Sequence, residues 1–377
     1  MVARYKTTVV ANNRMYVGNI HQNGKAYGDR MIKSPINKYN ILPDVNFIDV
    51  AINDGDEITA LAYYKDKLLQ FKKKKVFVVN TSGDYEFLED TFQEIGVNHQ
   101  CQVTTTPYGI CWANEQGCHL YNGERVVNLI DGKIAPTSDA AIISNNYWLI
   151  DDDDVSMVGY LRDEKTLLVL INANSRAHGA PEGFQFSFVT QSWTFIQART
   201  PDSGATLNTG NKSNMQIDKD GKLIWNVKYQ GTTTNKLVYW SDGARNNSDT
   251  PGNDDSALYF KSKDFDFGNP GVRKKIYKVY VTYKSVDPGG SAADSKILVK
   301  HSTNGGTSYT AFSDNSTNYA ASTGLTGSTS WATAILKPTS SINNIYSFQL
   351  EFSAAADVPS GFEINDISIV YRIKPIK

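Results

Sequence analysis

A short β-hairpin pattern recurs along the first part of the chain, and this recurrence constrains the fold more than any other feature. Met15–Ile20 and Tyr27–Ile32 flank an Asn23-Gly24 dipeptide, which tolerates the positive φ angles of a tight hairpin turn. The corners of the successive hairpins lie near residues 23, 74, 116, 164 and 220. A spacing of about 40–55 residues is typical of four-stranded propeller blades. The sequence therefore predicts an N-terminal β-propeller of five or six blades over residues 1–250.

Helical periodicity is nearly absent from the chain. Only residues 87–96, FLEDTFQEIG, have a pattern compatible with a short helix or turn. The sequence contains 21 Tyr and 16 Phe, residues that strands favour. We therefore expect an all-β protein.

The composition changes after the last hairpin. Residues 251–257 continue a polar stretch rich in Asn, Asp and Gly, which predicts a linker. Apolar and polar residues then alternate over residues 258–377; for example, Phe348, Leu350 and Phe352 share a face, whereas Gln349 and Glu351 point away. Six to eight such strands in about 120 residues predict a C-terminal antiparallel β-sandwich.

The overall charge is close to zero, with 38 Lys and Arg against 39 Asp and Glu. No global field therefore attracts the protein to nucleic acid or to an acidic membrane. We find no export signal at the N-terminus and no apolar run of about 20 residues that would cross a bilayer. We expect a soluble protein made in a cytoplasm, without membrane insertion.

The odd number of cysteines argues against a disulfide framework and indicates a reducing place of synthesis. Cys101, Cys111 and Cys118 are expected to be small buried hydrophobic residues. A zinc site is not indicated, because Cys118 and His119 would face opposite sides of a strand.

Four consecutive lysines, Lys72, Lys73, Lys74 and Lys75, lie at one hairpin corner between two apolar runs. Two interpretations remain open. A hairpin tip is a place where charge is solvated at little cost and prevents edge-to-edge aggregation. Alternatively, the lysines line a passage for a polyanion such as DNA.

Four consecutive aspartates, Asp151 to Asp154, follow another apolar run. The ligand spacing of a calcium loop is missing, so a solvated loop is the main expectation and no metal is predicted. Consecutive residues of an extended segment point to opposite sides, so Asp151 and Asp153 are the pair that would share an ion if calcium bound here.

Catalytic signatures are also missing. The five histidines lie in unrelated contexts, and neither a G-x-S-x-G motif nor a phosphate-binding loop is present. We therefore expect neither an enzyme nor a cofactor, although a glycosidase needs only two suitably spaced carboxylates.

The segment STNGGTSYTAF, residues 302–312, resembles the Asp-box of sialidase-type propellers. Asn304 replaces the aspartate of that motif and Tyr309 replaces the tryptophan. The motif is a hairpin corner in which the short polar side chain caps the turn and the aromatic ring packs beneath it. We expect a structural role.

Several longer segments, including DGDEITALAYYKDKLLQFKKKKVFVVN, resemble the propeller-bearing tail proteins of short-tailed bacteriophages, namely nozzle or tail tubular protein B-like proteins and head-to-tail stabilisation proteins. The resemblance covers about half of the chain. In these phrases Leu61, Tyr63, Leu69 and Phe71 are expected to supply a blade's apolar face, and Gly109 to permit a bulge or close approach. The segments are residues 27–44, 54–80, 105–123 and 260–285.

The resemblance implies a non-enzymatic virion component, made in the host cytoplasm, that forms a homo-oligomeric, six-fold ring around the DNA exit channel. Such a ring docks on a tail adaptor and meets fibres, and double-stranded DNA passes through it. The chain is compact compared with many members of this family, so its place as nozzle, ancillary ring or plug stays open. The alternative function is a carbohydrate-binding or glycan-degrading propeller that acts on host surface polysaccharide.

Overall fold

The protein is all-β and divides into two compact units, residues 1–249 and 250–377. The computed structural model describes residues 3–52, 54–83, 85–136, 147–148, 150, 155–172, 183–196, 212–228, 235–240, 258–287, 289–356, 358–359 and 361–374. These residues form many small antiparallel sheets, and their only helical segment is the 3-10 turn Gln100–Gln102. The predicted linker, residues 251–257, and its neighbours from 241 lie outside the described residues.

The described residues of the first unit form five antiparallel sheets, each built from strands that follow one another in the chain. Sheet 1 comprises β1 (Ala3–Ala11), β2 (Arg14–Gln22), β3 (Lys25–Lys33) and β4 (Phe47–Asp49). Sheet 2 comprises β5 (Ala60–Tyr64), β6 (Lys67–Phe71), β7 (Lys75–Asn80) and β8 (Phe87–Gln93). Sheet 3 comprises β9 (Val103–Thr106), β10 (Gly109–Asn114), β11 (Gly117–Tyr121) and β12 (Val126–Asn128).

A two-stranded parallel pair follows, formed by β13 (Ala135–Pro136) and β14 (Tyr147–Trp148). Sheet 4 comprises β15 (Val155–Leu161), β16 (Thr166–Asn172), β17 (Gly183–Ser187) and β18 (Ser192–Ile196). Sheet 5 comprises β19 (Lys212–Ile217), β20 (Leu223–Lys228) and β21 (Asn235–Tyr239).

The hairpin corners predicted from the sequence are confirmed. At the first corner Asn23 and Gly24 have φ angles of 49° and 78°, the two positive values of a type I′ turn, and Ile20 pairs with Tyr27. The lysine run joins β6 to β7, and Asn114–Gly117 joins β10 to β11. At the first corner, turn residues with the required φ angles therefore fix the register of β2 against β3.

Sheet 2 is apolar on both faces, and each face packs on a different neighbour. Leu69 and Phe71 pack with Trp112 of sheet 3, whereas Leu61 packs with Tyr16 of sheet 1. The expectation that Leu61, Tyr63, Leu69 and Phe71 share one face is wrong. Ala62, not Leu61, pairs with Leu69, so Leu61 and Tyr63 project from the opposite side.

The same alternation continues along the chain. Cys111 of sheet 3 packs with Phe184 of sheet 4, and Leu168 on the other face of sheet 4 packs with Trp225 of sheet 5. The first strands β1, β5, β9, β15 and β19 lie next to one another in that order. The five sheets are therefore stacked face to face in chain order with their first strands adjacent.

Close packing explains Gly109, which has a φ of 145°. A Cβ atom at this position would lie 2.1 Å from the carbonyl oxygen of Tyr121. The expected close approach of the backbone is confirmed, since no other residue fits there.

Residues 87–96 do not form the expected helix or turn; most of them form β8, the outer strand of sheet 2. Val78 pairs with Asp90 and Val79 with Leu88, so Glu89 is an extra residue in the ladder. This bulge shifts the alternation between Leu88 and Asp90. Phe87 and Leu88, which precede it, are both exposed at the edge of the sheet. The irregular apolar spacing that suggested a helix is the signature of this bulge.

The second unit contains two larger antiparallel sheets. Sheet 6 has the order β22, β30, β24, β25, and sheet 7 contains β28, β23 and β29, with β31 also paired to β23. The strands are β22 (Tyr259–Lys261), β23 (Lys274–Ser285), β24 (Ile297–Ser302), β25 (Thr310–Ala311), β26 (Tyr319–Ala320), β27 (Gly324–Leu325), β28 (Ser328–Leu336), β29 (Ile342–Ile345), β30 (Gln349–Ala354) and β31 (Glu363–Ile373). Both sheets contribute to one apolar core, in which Val281 of sheet 7 and Phe352 of sheet 6 are fully buried.

The predicted alternation in this unit is confirmed at Phe348, Leu350 and Phe352, which all lie in the core. Glu351 projects away from that core but is only 7% exposed. Tyr259 donates a 3.0 Å hydrogen bond to its carboxylate, and Lys300 lies 3.5 Å from it. A residue outside the core is thus buried by side chains of the adjacent strands.

The Asp-box-like segment is a hairpin corner, as predicted. Asn304 Oδ1 accepts a 3.1 Å hydrogen bond from the Ser308 N–H, and Ser302 Oγ accepts one from the Gly306 N–H. Tyr309 is half-buried and donates a 2.7 Å hydrogen bond to Gln349. Asn304 therefore takes the capping position of the aspartate in the motif.

Candidate functional site: the lysine corner

The lysine corner, residues Lys72 to Lys75, closes the β6–β7 hairpin. Lys72 donates its backbone N–H to the carbonyl oxygen of Lys75 at 2.8 Å. The side chains of Lys73 and Lys74 are exposed, and that of Lys75 is 33% exposed. The predicted position at a hairpin tip is confirmed, but the four lysines have different environments.

Lys72 is fully buried, with a relative exposure of 0%. Its Nζ donates hydrogen bonds to Asp29 Oδ1 at 2.6 Å, to Asp54 Oδ1 at 2.6 Å and to the Ala51 carbonyl at 3.0 Å. All three ammonium protons therefore have an acceptor. Neither interpretation of the four lysines as one exposed group holds for Lys72, because its charge is sequestered between sheet 2 and residues of the sheet 1 region.

Strand periodicity explains why this particular lysine is buried. Leu68 lies on the face of β6 that packs on sheet 1, and Gln70 and Lys72 follow at intervals of two. The backbone of Lys72 is also held in place, because its carbonyl accepts a 3.0 Å hydrogen bond from the Val97 N–H. The alternation of inward and outward residues in β6 is visible in the sequence. Because the four lysines are identical, the sequence does not show which of them continues that alternation.

Carboxylates surround the rest of the corner. Lys75 Nζ lies 3.3 Å from Asp54 Oδ2, and Asp56 Oδ2 accepts a 3.3 Å hydrogen bond from the Lys74 N–H. Burial by itself would raise the pKa of Asp54, but the hydrogen bonds from Lys72 and from the Asp56 N–H bring that pKa below its ordinary value.

Glu57 extends this acidic group on the side of Lys6. Lys6 Nζ lies 2.9 Å from Glu57 Oε1, and Asn19 donates a further hydrogen bond to the other oxygen. Hydrogen bonds from Lys6 and Asn19 lower the pKa of Glu57, and the charges of Lys6 and Lys73 act in the same direction. The lysine corner is thus nearly charge-balanced, and its exposed cations are chiefly Lys73 and Lys74.

This balance limits what the corner can do with a polyanion. Each phosphate that a lysine neutralises adds affinity through counterion release, and Lys72 is not positioned to neutralise any. The predicted DNA contact of Lys73, Lys74 and the partly exposed Lys75 remains a prediction.

The weak candidates for calcium, Asp151 and Asp153, lie outside the described residues. Within the described ranges no group of three or more His, Cys, Asp or Glu side chains could hold a metal ion. Cys118 packs toward sheet 4, whereas the His119 ring lies 5.4 Å from that of Trp112, whose side chain packs toward sheet 2. The prediction that these two residues face opposite ways is confirmed.

The three cysteines are free thiols. Cys111 and Cys118 are fully buried, and Cys101 is half-buried. Burial raises the pKa of Cys111 to about 12 and that of Cys101 to about 11, so both stay protonated near neutral pH. Their role as small hydrophobic residues fits these positions.

The part of the chain that the structure describes contains no helix long and apolar enough to cross a membrane.

No protein-family model and no curated protein matches the sequence. Among solved structures, the extracellular domain of a hybrid two-component system from B. thetaiotaomicron aligns over 78% of this chain and 38% of its own, with 13% identity and a TM-score of 0.36. An exo-β-1,3-galactanase from Phanerochaete chrysosporium aligns over 97% and 95%, with 8% identity and a TM-score of 0.30.

The WD40 domain of SCAP from fission yeast aligns over 92% of this chain and 82% of its own, with 7% identity and a TM-score of 0.31. The chain spans well under half of the first of these three proteins. Similarities this weak say nothing about function.

Proposed function

We propose that the chain is a non-enzymatic structural component of a bacteriophage tail. In this proposal residues 1–250 form a β-propeller whose blades are the five stacked sheets, and residues 258–377 form a β-sandwich. Copies of the chain assemble as a ring, six-fold as in the family it resembles, around the path of the exiting DNA. The ring docks on a tail adaptor and contacts fibres within the virion.

The main observation in support of the tail role is the stacking of sheet 2 on sheet 3. Residues 54–80 and 105–123, two of the segments that resemble phage tail proteins, supply β5–β7 and most of sheet 3. The facing sides of the two sheets meet edge to face at Phe71 and Trp112, with ring centroids 5.3 Å apart. The phrases that carry the resemblance therefore encode adjacent, interlocking sheets, as blades of a propeller require.

The charge distribution supports a conduit for DNA better than a site that retains it. Strong binding to phosphates would slow the passage of a polyanion, because each neutralised phosphate adds affinity. The net charge is −1, and carboxylates balance much of the lysine corner. Lys73 and Lys74 leave a small, local positive surface.

The mass of the purified protein in solution tests the proposed assembly. We expect mass photometry to report a multiple of the chain mass and negative-stain images to show rings of several copies. A monomer that binds or cleaves polysaccharide would overturn the tail role and favour the alternative glycan-directed function.

The DNA contact is tested with a variant that leaves the buried lysine intact. We expect K73S/K74S to weaken binding of double-stranded DNA to the purified assembly and to reduce the slope of log affinity against log salt by about 0.9 per lysine removed. K263S/K337S, which removes two exposed lysines of the second unit, is the matched control. An unchanged slope in K73S/K74S would remove the lysine corner from the DNA path.

A further inference from the structure

A polar cavity of about 360 Å³ opens on sheet 1, where the β2–β3 hairpin meets the connection between β3 and β4. This volume lies within the range of pockets that hold small molecules. The residues used below are Asn23, Lys25, Tyr27, Arg30, Asp44 and Phe47, all of which line the cavity.

Arg30 is held rigidly in the cavity wall. Its Nε and Nη2 donate to the two carboxylate oxygens of Asp49, at 2.8 and 2.7 Å, in a bidentate pair. The guanidinium carbon lies 4.6 Å from the centre of the Tyr27 ring and 4.3 Å from that of Phe47. The ion pair and the two rings therefore fix one another before any ligand arrives.

The charges around the cavity balance. Asp49 neutralises Arg30, and the remaining charged residues of the lining are Lys25 and Asp44, one cation and one anion. Such a site has no net charge to select an anion or a cation. A neutral ligand fits this charge distribution best.

The side chains combine flat apolar surface with several hydrogen-bonding groups. Phe47 is 49% exposed, and Tyr27, the other ring that contacts Arg30, is half-buried. Asn23 offers an amide donor and acceptor, Asp44 a carboxylate acceptor and Lys25 an ammonium donor. A pyranose ring has the complementary chemistry, with a C–H face that packs on aromatic rings and a rim of hydroxyl groups that both donate and accept.

We propose that this cavity binds a neutral pyranose unit of a glycan. Phe47 and Tyr27 provide the apolar contact, and Asp44, Asn23 and Lys25 bind the hydroxyl groups. The site does not depend on the tail role proposed above, because a virion component and a solitary protein would present the same cavity.

Saturation-transfer NMR and titration calorimetry with glucose, galactose, mannose and their trisaccharides test the site in the full chain. We expect at least one of these sugars to bind with a Kd on the order of 1 mM. F47A should weaken that binding by about ten-fold, the effect of losing one aromatic platform. F87A is the matched control, since Phe87 is 55% exposed on sheet 2 and lies outside the cavity. The F87A variant should bind the sugar with the affinity of the wild type.

A second variant keeps the test independent of folding. N23G removes the amide but suits the turn, because Asn23 already has a φ of 49° that glycine adopts freely. We expect N23G to weaken sugar binding several-fold without lowering the melting temperature. The proposal is overturned if no sugar binds at tens of millimolar, if F87A loses as much affinity as F47A, or if galacturonate or inorganic phosphate binds in preference to the neutral sugars.

Discussion

Among the residues that the structure describes, each unit contains one fully buried lysine, and the two are accommodated in different ways. Lys72 of the first unit donates to two carboxylates, those of Asp29 and Asp54. Lys274 of the second unit donates to two backbone carbonyls, those of Asn269 at 2.5 Å and Tyr346 at 2.8 Å. A buried ammonium group can thus be neutralised by opposite charge or solvated by dipoles.

The difference shows what each lysine connects. Lys72 joins its own hairpin to β3 and to the connection between β4 and β5, so it links sheets 1 and 2 through charge. Lys274 begins β23 and fastens the preceding loop to the residue that follows β29. Removal of Lys72 takes the buried cation away from the carboxylates of Asp29 and Asp54, of which Asp54 keeps only the more distant Lys75. Removal of Lys274 affects only neutral backbone carbonyls.

The largest effect is expected for K72M. Breaking a buried ion pair by deleting one partner costs about 3 kcal/mol or more in the free energy of unfolding. Urea unfolding of the first unit, followed by tryptophan emission in a W331F background, measures the loss; Trp331 is the only tryptophan after residue 240. K74M, which alters an exposed member of the same run, should stay within about 0.5 kcal/mol of the wild type.

Two further arms sharpen that result. D29N and D54N added to K72M should recover part of the lost stability, because they remove the uncompensated charge. The stability penalty of K72M should also shrink as the pH falls and Asp54, whose pKa the hydrogen bond from Lys72 lowers, becomes protonated. Equal stabilities of K72M and K74M would contradict the buried ion pair.

A smaller effect is expected for K274M, about 1–3 kcal/mol, the cost of leaving buried acceptors without a donor. The loss of unfolding free energy in K274M should not depend on pH in the range where aspartates titrate, whereas the loss in K72M should. The part of the tryptophan emission change that W331F abolishes reports unfolding of the second unit, and K337M is the exposed control. A pH-dependent penalty in K274M would remove the distinction between the two lysines.

Each unit also contains a buried histidine. We therefore expect both units to lose stability over the same range of pH. Burial lowers the pKa of His119 in the first unit and that of His301 in the second to about 4. His301 packs against Phe312 and Phe348, whose ring centroids lie 4.9 and 5.8 Å from its own. Because the folded pKa lies below the unfolded value, the neutral ring contributes stability above about pH 6.5 that is lost as the pH falls towards 4.

Single substitutions separate the two histidines. H301L should flatten the dependence of stability on pH between 6.5 and 4 in the second unit, where one histidine supplies a slope of at most about 1.4 kcal/mol per pH unit. H119L should do so only in the first unit. If H301L left the slope of Trp331-detected unfolding unchanged, His301 would not be the group that titrates.

The smallest effect is expected at the Asp-box-like corner. N304A removes the acceptor of the Ser308 N–H and should cost about 1 kcal/mol in the second unit. N304D keeps that acceptor and should cost less. Chemical unfolding monitored at Trp331 compares the two variants; equal losses would mean that Asn304 Oδ1 does not cap the turn.

The hairpin architecture could be predicted because its signals are local. Asn23-Gly24 and the other corners combine turn residues with flanking strands, and both lie within a short stretch of sequence. The Asn304 corner was predictable for the same reason. The predicted tail role rests on resemblance and stays a proposal.

What the sequence did not reveal depends on contacts between distant residues. The alternation of β6 reaches Lys72, but the carboxylates of Asp29 and Asp54 that neutralise it come from distant segments that its sequence context does not indicate. The bulge at Glu89 obscured β8, because one extra residue breaks the alternation from which strands are predicted. The polar cavity on sheet 1 combines a hairpin corner with Asp44 and Phe47, which the connection between β3 and β4 brings back to the sheet.

A cryo-electron microscopy map of the purified protein is the most direct test of the central claim, that the repeated hairpins are blades of one propeller within a ring of copies. The account predicts a ring in which each chain contributes radiating small sheets whose first strands, β1, β5, β9, β15 and β19, meet at the centre. Single chains, or sheets joined side by side instead of face to face, would contradict it.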